Sequence, residues 1–189
     1  MGLTSEDKNN IIQEMKSLKK EKSDDDVILY KEIIKKRLIE FEKPLLYALH
    51  NVELERRNAD ISDYYGVNIR PALIIPEVQS TPLNYICYKV EFDEIPDNNR
   101  MMRYTSITFT IICEQKNLID IKTGIPRHDM LESILRTAFN WSNVFGGQCR
   151  LVTVKEGITD SDYVTRTLIF EVTDLNGIRN NNMVYNNRF

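Results

Sequence analysis

Apolar residues recur at three- and four-residue steps from Val27 through Tyr30, Ile34, Leu38, Phe41, Leu45 and Leu49. That spacing draws one stripe along an amphipathic helix. Ser23, Asp24, Asp25 and Asp26 predict its start, because serine caps the first amides and the acids offset the positive dipole end. Pro44 falls inside the stripe, where a missing amide and a ring clash predict a kink or break. A shorter pattern at Ile11, Ile12, Met15 and Leu18 predicts a short helix within a polar, lysine-rich stretch.

Residues 51–66 are charged and irregular, and the period then changes from helical to two-residue alternation. Val67–Val78 is β-branched but holds Pro71 and Pro76, so it reads as an edge strand or a broken one. Tyr85–Asp93 places Ile86, Tyr88, Val90 and Phe92 on one face. Arg103–Glu114 does the same with Ile107, Phe109, Ile111 and Cys113. With Pro96-Asp97-Asn98-Asn99 as turn chemistry between them, the two read as an antiparallel hairpin.

Pro126 and Asp129 open a second helix, with Met130, Leu131, Ile134, Leu135, Ala138, Phe139, Trp141 and Phe145 as its apolar face. Gly146-Gly147 predicts its end. Two strands follow, Cys149–Glu156 and Tyr163–Thr173. Val164, Leu168, Phe170 and Val172 form a core face that Arg166 interrupts. The organisation is a polar segment over 1–26, one domain over 27–175 and an arm over 176–189. Helices and strands are segregated, which predicts an α+β fold with an antiparallel or mixed sheet. A long N-terminal helix, a second helix packed across the sheet and flexible termini complete the expectation.

Composition narrows the function classes. The formal net charge of -3 gives no overall basic excess for nucleic acid or an anionic membrane. No apolar run approaches the roughly 20 residues that span a bilayer, and the N-terminus lacks a signal-peptide pattern. Cys87, Cys113 and Cys149 sit in strand-like surroundings without zinc spacing, so buried free thiols in a reducing compartment are expected. The lysines from Lys16 to Lys22, with Lys31, Lys35, Lys36 and Arg37, read either as a solvated helix face or as a contact for an acidic partner.

Candidate chemistry is sparse. Pro96-Asp97 followed by Asp120-x-Lys122 matches a loose metal-dependent nuclease pattern, in which carboxylates hold magnesium and lysine orients water. The competing reading is a turn and a solvated charge pair. His50 and His128 lie at helix ends without a nucleophile in a recognisable setting. Trp141 and Phe145 read as core rather than as a stacking pair. No catalytic, cofactor-binding or metal residue is assigned, no cofactor is expected, and the chain is expected not to be an enzyme. In the C-terminal arm, Met183, Val184, Tyr185 and Phe189 are apolar anchors among asparagines, and Arg179 and Arg188 can add directed hydrogen bonds. These six are the expected partner-binding residues.

The run from Tyr104 to Leu175 holds a strand, a polar loop, the helix containing Asp129-Met130-Leu131-Glu132-Ser133-Ile134-Leu135 and a closing hairpin. In element order it resembles the tail terminator and related neck proteins of tailed bacteriophages, over residues 27–175. That resemblance implies a virion structural subunit, assembled in the host cytoplasm, that forms a ring of six or twelve copies joining tail to head. Its implied neighbours are tail tube, sheath or connector, with no membrane, and with nucleic acid only passing through the lumen. A baseplate or tail-hub component and the small nuclease are the alternatives.

Overall fold

The computed structural model describes residues 5–18, 27–73, 84–92, 102–158 and 162–175. The elements are helices α1 (Ser5–Leu18), α2 (Val27–Ile39), α3 (Glu42–Leu49), α4 (Val52–Arg56) and α5 (Ile61–Tyr64), then strands β1 (Ile69–Arg70), β2 (Tyr85–Phe92) and β3 (Met102–Glu114). Helix α6 (Arg127–Phe139) and strands β4 (Cys149–Ile158) and β5 (Tyr163–Leu175) follow. The fold is α+β with a mixed sheet in the order β1-β2-β3-β5-β4. Only the β1–β2 pair is parallel; the other neighbours run antiparallel.

The single long helix expected over Val27–Leu49 is two helices. The break falls at Glu40 and Phe41, one turn before Pro44. Proline has no N–H for the carbonyl four residues back, and its ring crowds that carbonyl, so the chain opens at Glu40. The Ser23–Asp26 start signal lies outside the described residues. Residues 51–66, expected to be irregular, hold α4 and α5. Their signals are caps: the Asn51 side chain accepts from the Leu54 amide at 3.3 Å, and Asp60 and Asp63 form a capping box.

α2 and α6 cover one face of the sheet, α2 on β2 and α6 across β3, β5 and β4, and α3 packs against both helices. Alternation in the strands delivers Ile86, Tyr88, Val90, Ile107, Phe109, Ile111, Leu168, Phe170 and Val172 to that layer, where they meet Ile34, Leu38, Leu131, Leu135 and Phe139. Phe109 stacks on Phe139 at 5.1 Å between ring centroids and meets Phe170 edge-on at 5.8 Å. A smaller cluster of Tyr85, Cys87 and Ile112 sits apart from this core. Cys87, Cys113 and Cys149 are buried and form no disulfide.

α6 is shorter than expected. It stops at Phe139, and Trp141 adopts a left-handed φ of 62° and lies 60% exposed. The expectation of a buried Trp141 is therefore corrected, whereas Phe145 is buried and stacks on Tyr30 at 5.3 Å. Gly146-Gly147 is not a helix cap. It lies in the loop, where a Cβ on Gly147 would stand 2.3 Å from the Thr173 carbonyl oxygen. Glycine permits that close approach of loop to β5.

Candidate assembly surface

The loop from β3 to α6 is organised around one buried carboxylate. Asp120 Oδ1 accepts from Arg127 Nη2 at 2.9 Å, and Oδ2 accepts from the Tyr47 hydroxyl at 2.9 Å and the Thr123 hydroxyl at 2.8 Å. Arg127 also donates to the carbonyls of Asn117 and Tyr47, so one guanidinium joins the loop, α3 and α6. The Thr123 hydroxyl, helped by Tyr47 and Arg127, holds the Asp120 carboxyl below its ordinary range, and the same carboxylate pushes the Tyr47 phenol up. Asp120 is thus neither a solvated charge nor an open ligand, in contrast to the turn-and-solvated-pair reading. Lys122 beside it is exposed, and Pro96-Asp97 lies outside the described residues.

This buried anchor carries an apolar tip. Gly124 donates its amide to the Asp120 carbonyl at 2.7 Å, and Asp120 donates to the Ile125 carbonyl at 3.1 Å. Ile119 and Ile125 are exposed, and Ile121 is 97% exposed. Gly124 has a φ of 70°, a left-handed value that side-chain-bearing residues avoid. Isoleucine is not turn chemistry, so the turn's stability comes from Asp120, Thr123 and Gly124 rather than from its tip.

β4 is the last strand of the sheet, and among the described residues its outer edge is covered only at its start. Trp141 N–H donates to the Cys149 carbonyl at 2.7 Å, Cys149 N–H to the Ser142 carbonyl at 2.8 Å and Leu151 N–H to Asn140 Oδ1 at 2.9 Å. From Val152 to Ile158 no described residue pairs with that edge. A register shift between Leu151 and Thr153 marks a β-bulge there. Val152, Val154 and Ile158 are exposed along it, and the Arg150 guanidinium stacks over Trp141 at 4.9 Å. An open edge offers unpaired N–H and C=O groups in register, a template for another strand. The Gln115 amide donates to the Asp162 carbonyl at 2.8 Å, which ties the start of the isoleucine loop to the residue just before β5.

Arg166, the residue that breaks the β5 pattern, fastens β4 to α6. It forms ion pairs with Asp129, with Glu132 at 2.6 Å and with Glu156 of β4 at 2.9 Å. These carboxylates outweigh the burial that opposes its charge. Asp129, Glu132 and Arg166 line an open cleft of about 360 Å³ with Ser133, Arg136 and Thr137. His128 lies buried beside them, 3.7 Å from Asp129 and 3.8 Å from Glu156. Burial and the Arg166 charge lower its pKa below the ordinary histidine value. His50 caps α3 with a left-handed φ of 48° and lies 3.2 Å from Glu55. Among the described residues, no three His, Cys, Asp or Glu side chains form a metal-holding group, and no helix is long and apolar enough to cross a membrane.

The partner-binding residues expected from the sequence, Arg179, Met183, Val184, Tyr185, Arg188 and Phe189, lie outside the described residues. Sequence reasoning missed the isoleucine turn and the open β4 edge. A signal for the turn was present in Ile119-Asp120-Ile121, where apolar residues flank a hydrogen-bonding one next to Thr123-Gly124. The basic run over α2 divides among partners rather than forming one solvated face. Lys31 donates to the Pro71 carbonyl at 2.6 Å, Lys35 stacks over Tyr65 at 4.9 Å and Arg37 donates to the Ala138 carbonyl at 2.9 Å.

Among the described residues, fold and surface together define an α+β domain with one sheet face covered by helices and one sheet edge left unpaired beyond its start. The family model named YomW matches residues 10–172, and the chain belongs to the YomW family. That family name marks a phage-associated protein. No curated protein matches the chain.

Proposed function

We propose that the chain is a structural subunit of a tailed-phage virion that joins copies of itself into a ring of the tail terminator or neck type. The observation that carries this reading is the open β4 edge from Val152 to Ile158 with its exposed valines and isoleucine. The opposite end of the sheet is β1, only two residues long. The two edges differ, and unlike edges favour a head-to-tail contact, which closes into a ring when the rotation permits. The expected copy number is six or twelve, the neighbours are tail tube, sheath or connector proteins, and the place is the virion after assembly in the host cytoplasm. Residues 179–189 add contacts to a neighbouring component in this reading. Nucleic acid only passes through the lumen, and no catalytic step is assigned.

Native mass and negative-stain microscopy of the purified chain test the reading. A closed ring that is lost on Val154→Lys, while circular dichroism stays unchanged, supports it. A chain that stays monomeric at every concentration, or that cleaves DNA with magnesium, overturns it.

A further inference from the structure

We propose that the turn from Ile119 to Ile125 is a preformed knob that docks in an apolar socket, rimmed by carboxylates, on a different protein of the same assembly. The inference rests on the self-assembly reading above and assigns the contact that faces out of the ring. The surface of the turn has one chemistry. Ile119, Ile121 and Ile125 are exposed, Ile121 almost wholly. The exposed charges over residues 115–126 are both cations, Lys116 and Lys122. The acid in that stretch, Asp120, is buried and taken up by Arg127, Tyr47 and Thr123. Glu114, just before it, is buried too and accepts from the Asn117 amide at 2.7 Å. An apolar tip flanked by cations complements an apolar socket with an acidic rim.

The knob holds its shape before anything binds. Besides the Asp120–Ile125 and Gly124–Asp120 backbone bonds, the Arg127 amide donates to the Leu118 carbonyl at 2.7 Å and Ile119 bridges Pro126. A loop already ordered loses little conformational freedom on docking. Position and chemistry then separate its partner from another copy of this chain. β3 ends at Glu114 opposite Tyr163, and β4 ends at Ile158 opposite Val164, so the turn stands at that end of the strands. Hydrogen bonds between antiparallel strands run across them. A ring closed through sheet edges grows in that direction and leaves the strand ends facing away from both ring neighbours. Neither described cleft of the chain matches the knob. The groove of Ile28, Tyr65 and Tyr88 is apolar but carries Lys31 and Lys35, which repel Lys116 and Lys122, and the cleft of Asp129, Glu132 and Arg166 has no apolar side chain in its lining. A lipid surface fits less well, because Trp and Tyr are the residues enriched at membrane–water interfaces and the turn has neither.

Photo-crosslinking in purified particles tests this, with p-benzoylphenylalanine placed at Ile121 in one full-length chain and at Val154 in another. The Val154 probe reports the ring and should give a chain-to-chain product. The Ile121 probe should link the chain to a different virion polypeptide, at apolar residues that adjoin Asp or Glu in peptide mapping. Lys116→Glu with Lys122→Glu, checked for fold by circular dichroism, should lower that mixed product about tenfold by setting like charges against the rim, and leave the Val154 product unchanged. An Ile121 probe that links only to further copies of this chain, or to nothing while the Val154 probe reacts, overturns the proposal and leaves the ring reading standing. A charge-reversed chain that links as before also overturns it. Binding of the free chain to phosphatidylglycerol vesicles, lost in Ile121→Ser, assigns the turn to a lipid surface and overturns it as well. A mixed Ile121 product without any Val154 product sinks the ring reading and keeps the knob, and a chain absent from the particles sinks both.

Discussion

Arg127 and Asp120 form an ion pair whose side chains are 7% and 5% exposed, 2.9 Å apart at Nη2 and Oδ1. Removing one partner of such a pair strands the other charge away from water, and that costs more than the pair itself contributes. Arg127→Met should therefore destabilise the domain by about 3–5 kcal/mol in a urea titration. Lys122→Ala, two residues from the carboxylate but exposed, should stay within about 0.5 kcal/mol. Equal, small losses in both would show that the loop is not anchored through Asp120.

The aromatic contact of Phe109 with Phe139 lies at the centre of the core, while Trp141 stands outside it. Phe139→Ala should cost about 3–5 kcal/mol, and Trp141→Ala about 1 kcal/mol or less, the scale of its exposed contact with Arg150. Chemical denaturation checks both. As the only tryptophan, Trp141 should show solvent-exposed fluorescence in the free chain. A blue shift on assembly would place it at a contact.

His128 makes stability depend on pH. Burial and Arg166 lower its pKa, although Asp129, Glu156 and Glu132 pull the other way. The folded state then binds fewer protons than the unfolded chain, whose histidines titrate near about 6.5. This contribution is complete above that value and is lost as pH falls from it through the lowered folded value. His128→Gln should flatten the thermal-melting profile over that window relative to the native chain. Parallel profiles for the two would contradict the assignment.

Val154 lies on the open edge beyond the bulge, opposite Leu168 of β5. Val154→Lys places a charge there of the kind that natural edge strands use against pairing. The change should leave the melting temperature within a degree or two and lower the sedimentation coefficient of any assembly. Retention of full-size rings would move the interface elsewhere.

Deleting residues 179–189 tests the arm. Its apolar residues, Tyr185 and Phe189 above all, are the anchors expected from the sequence. The truncated chain should keep its melting temperature and lose affinity for the neighbouring component. Unchanged assembly would remove the arm from the interface.

Local pattern determined much of this protein. Period-two alternation in β2, β3 and β5 identified their buried faces residue by residue, because a strand's side chains point to alternate sides whatever packs on them. The apolar stripe from Leu131 to Phe139 likewise marked the face of α6 that meets the sheet. Tertiary structure decided what depends on distant partners. Asp120 reads as a loop acid in the sequence, yet Tyr47, 73 residues earlier, and Arg127 make it a buried anchor. Trp141 continues the helical spacing, but amide pairing with Cys149 ends α6 before it and turns the ring outward. Arg166 looks like an error in a core strand until Asp129, Glu132 and Glu156 converge on it from α6 and β4. The open edge of β4 is likewise invisible in its residues, since being last in a sheet is a property of strand order and not of the strand.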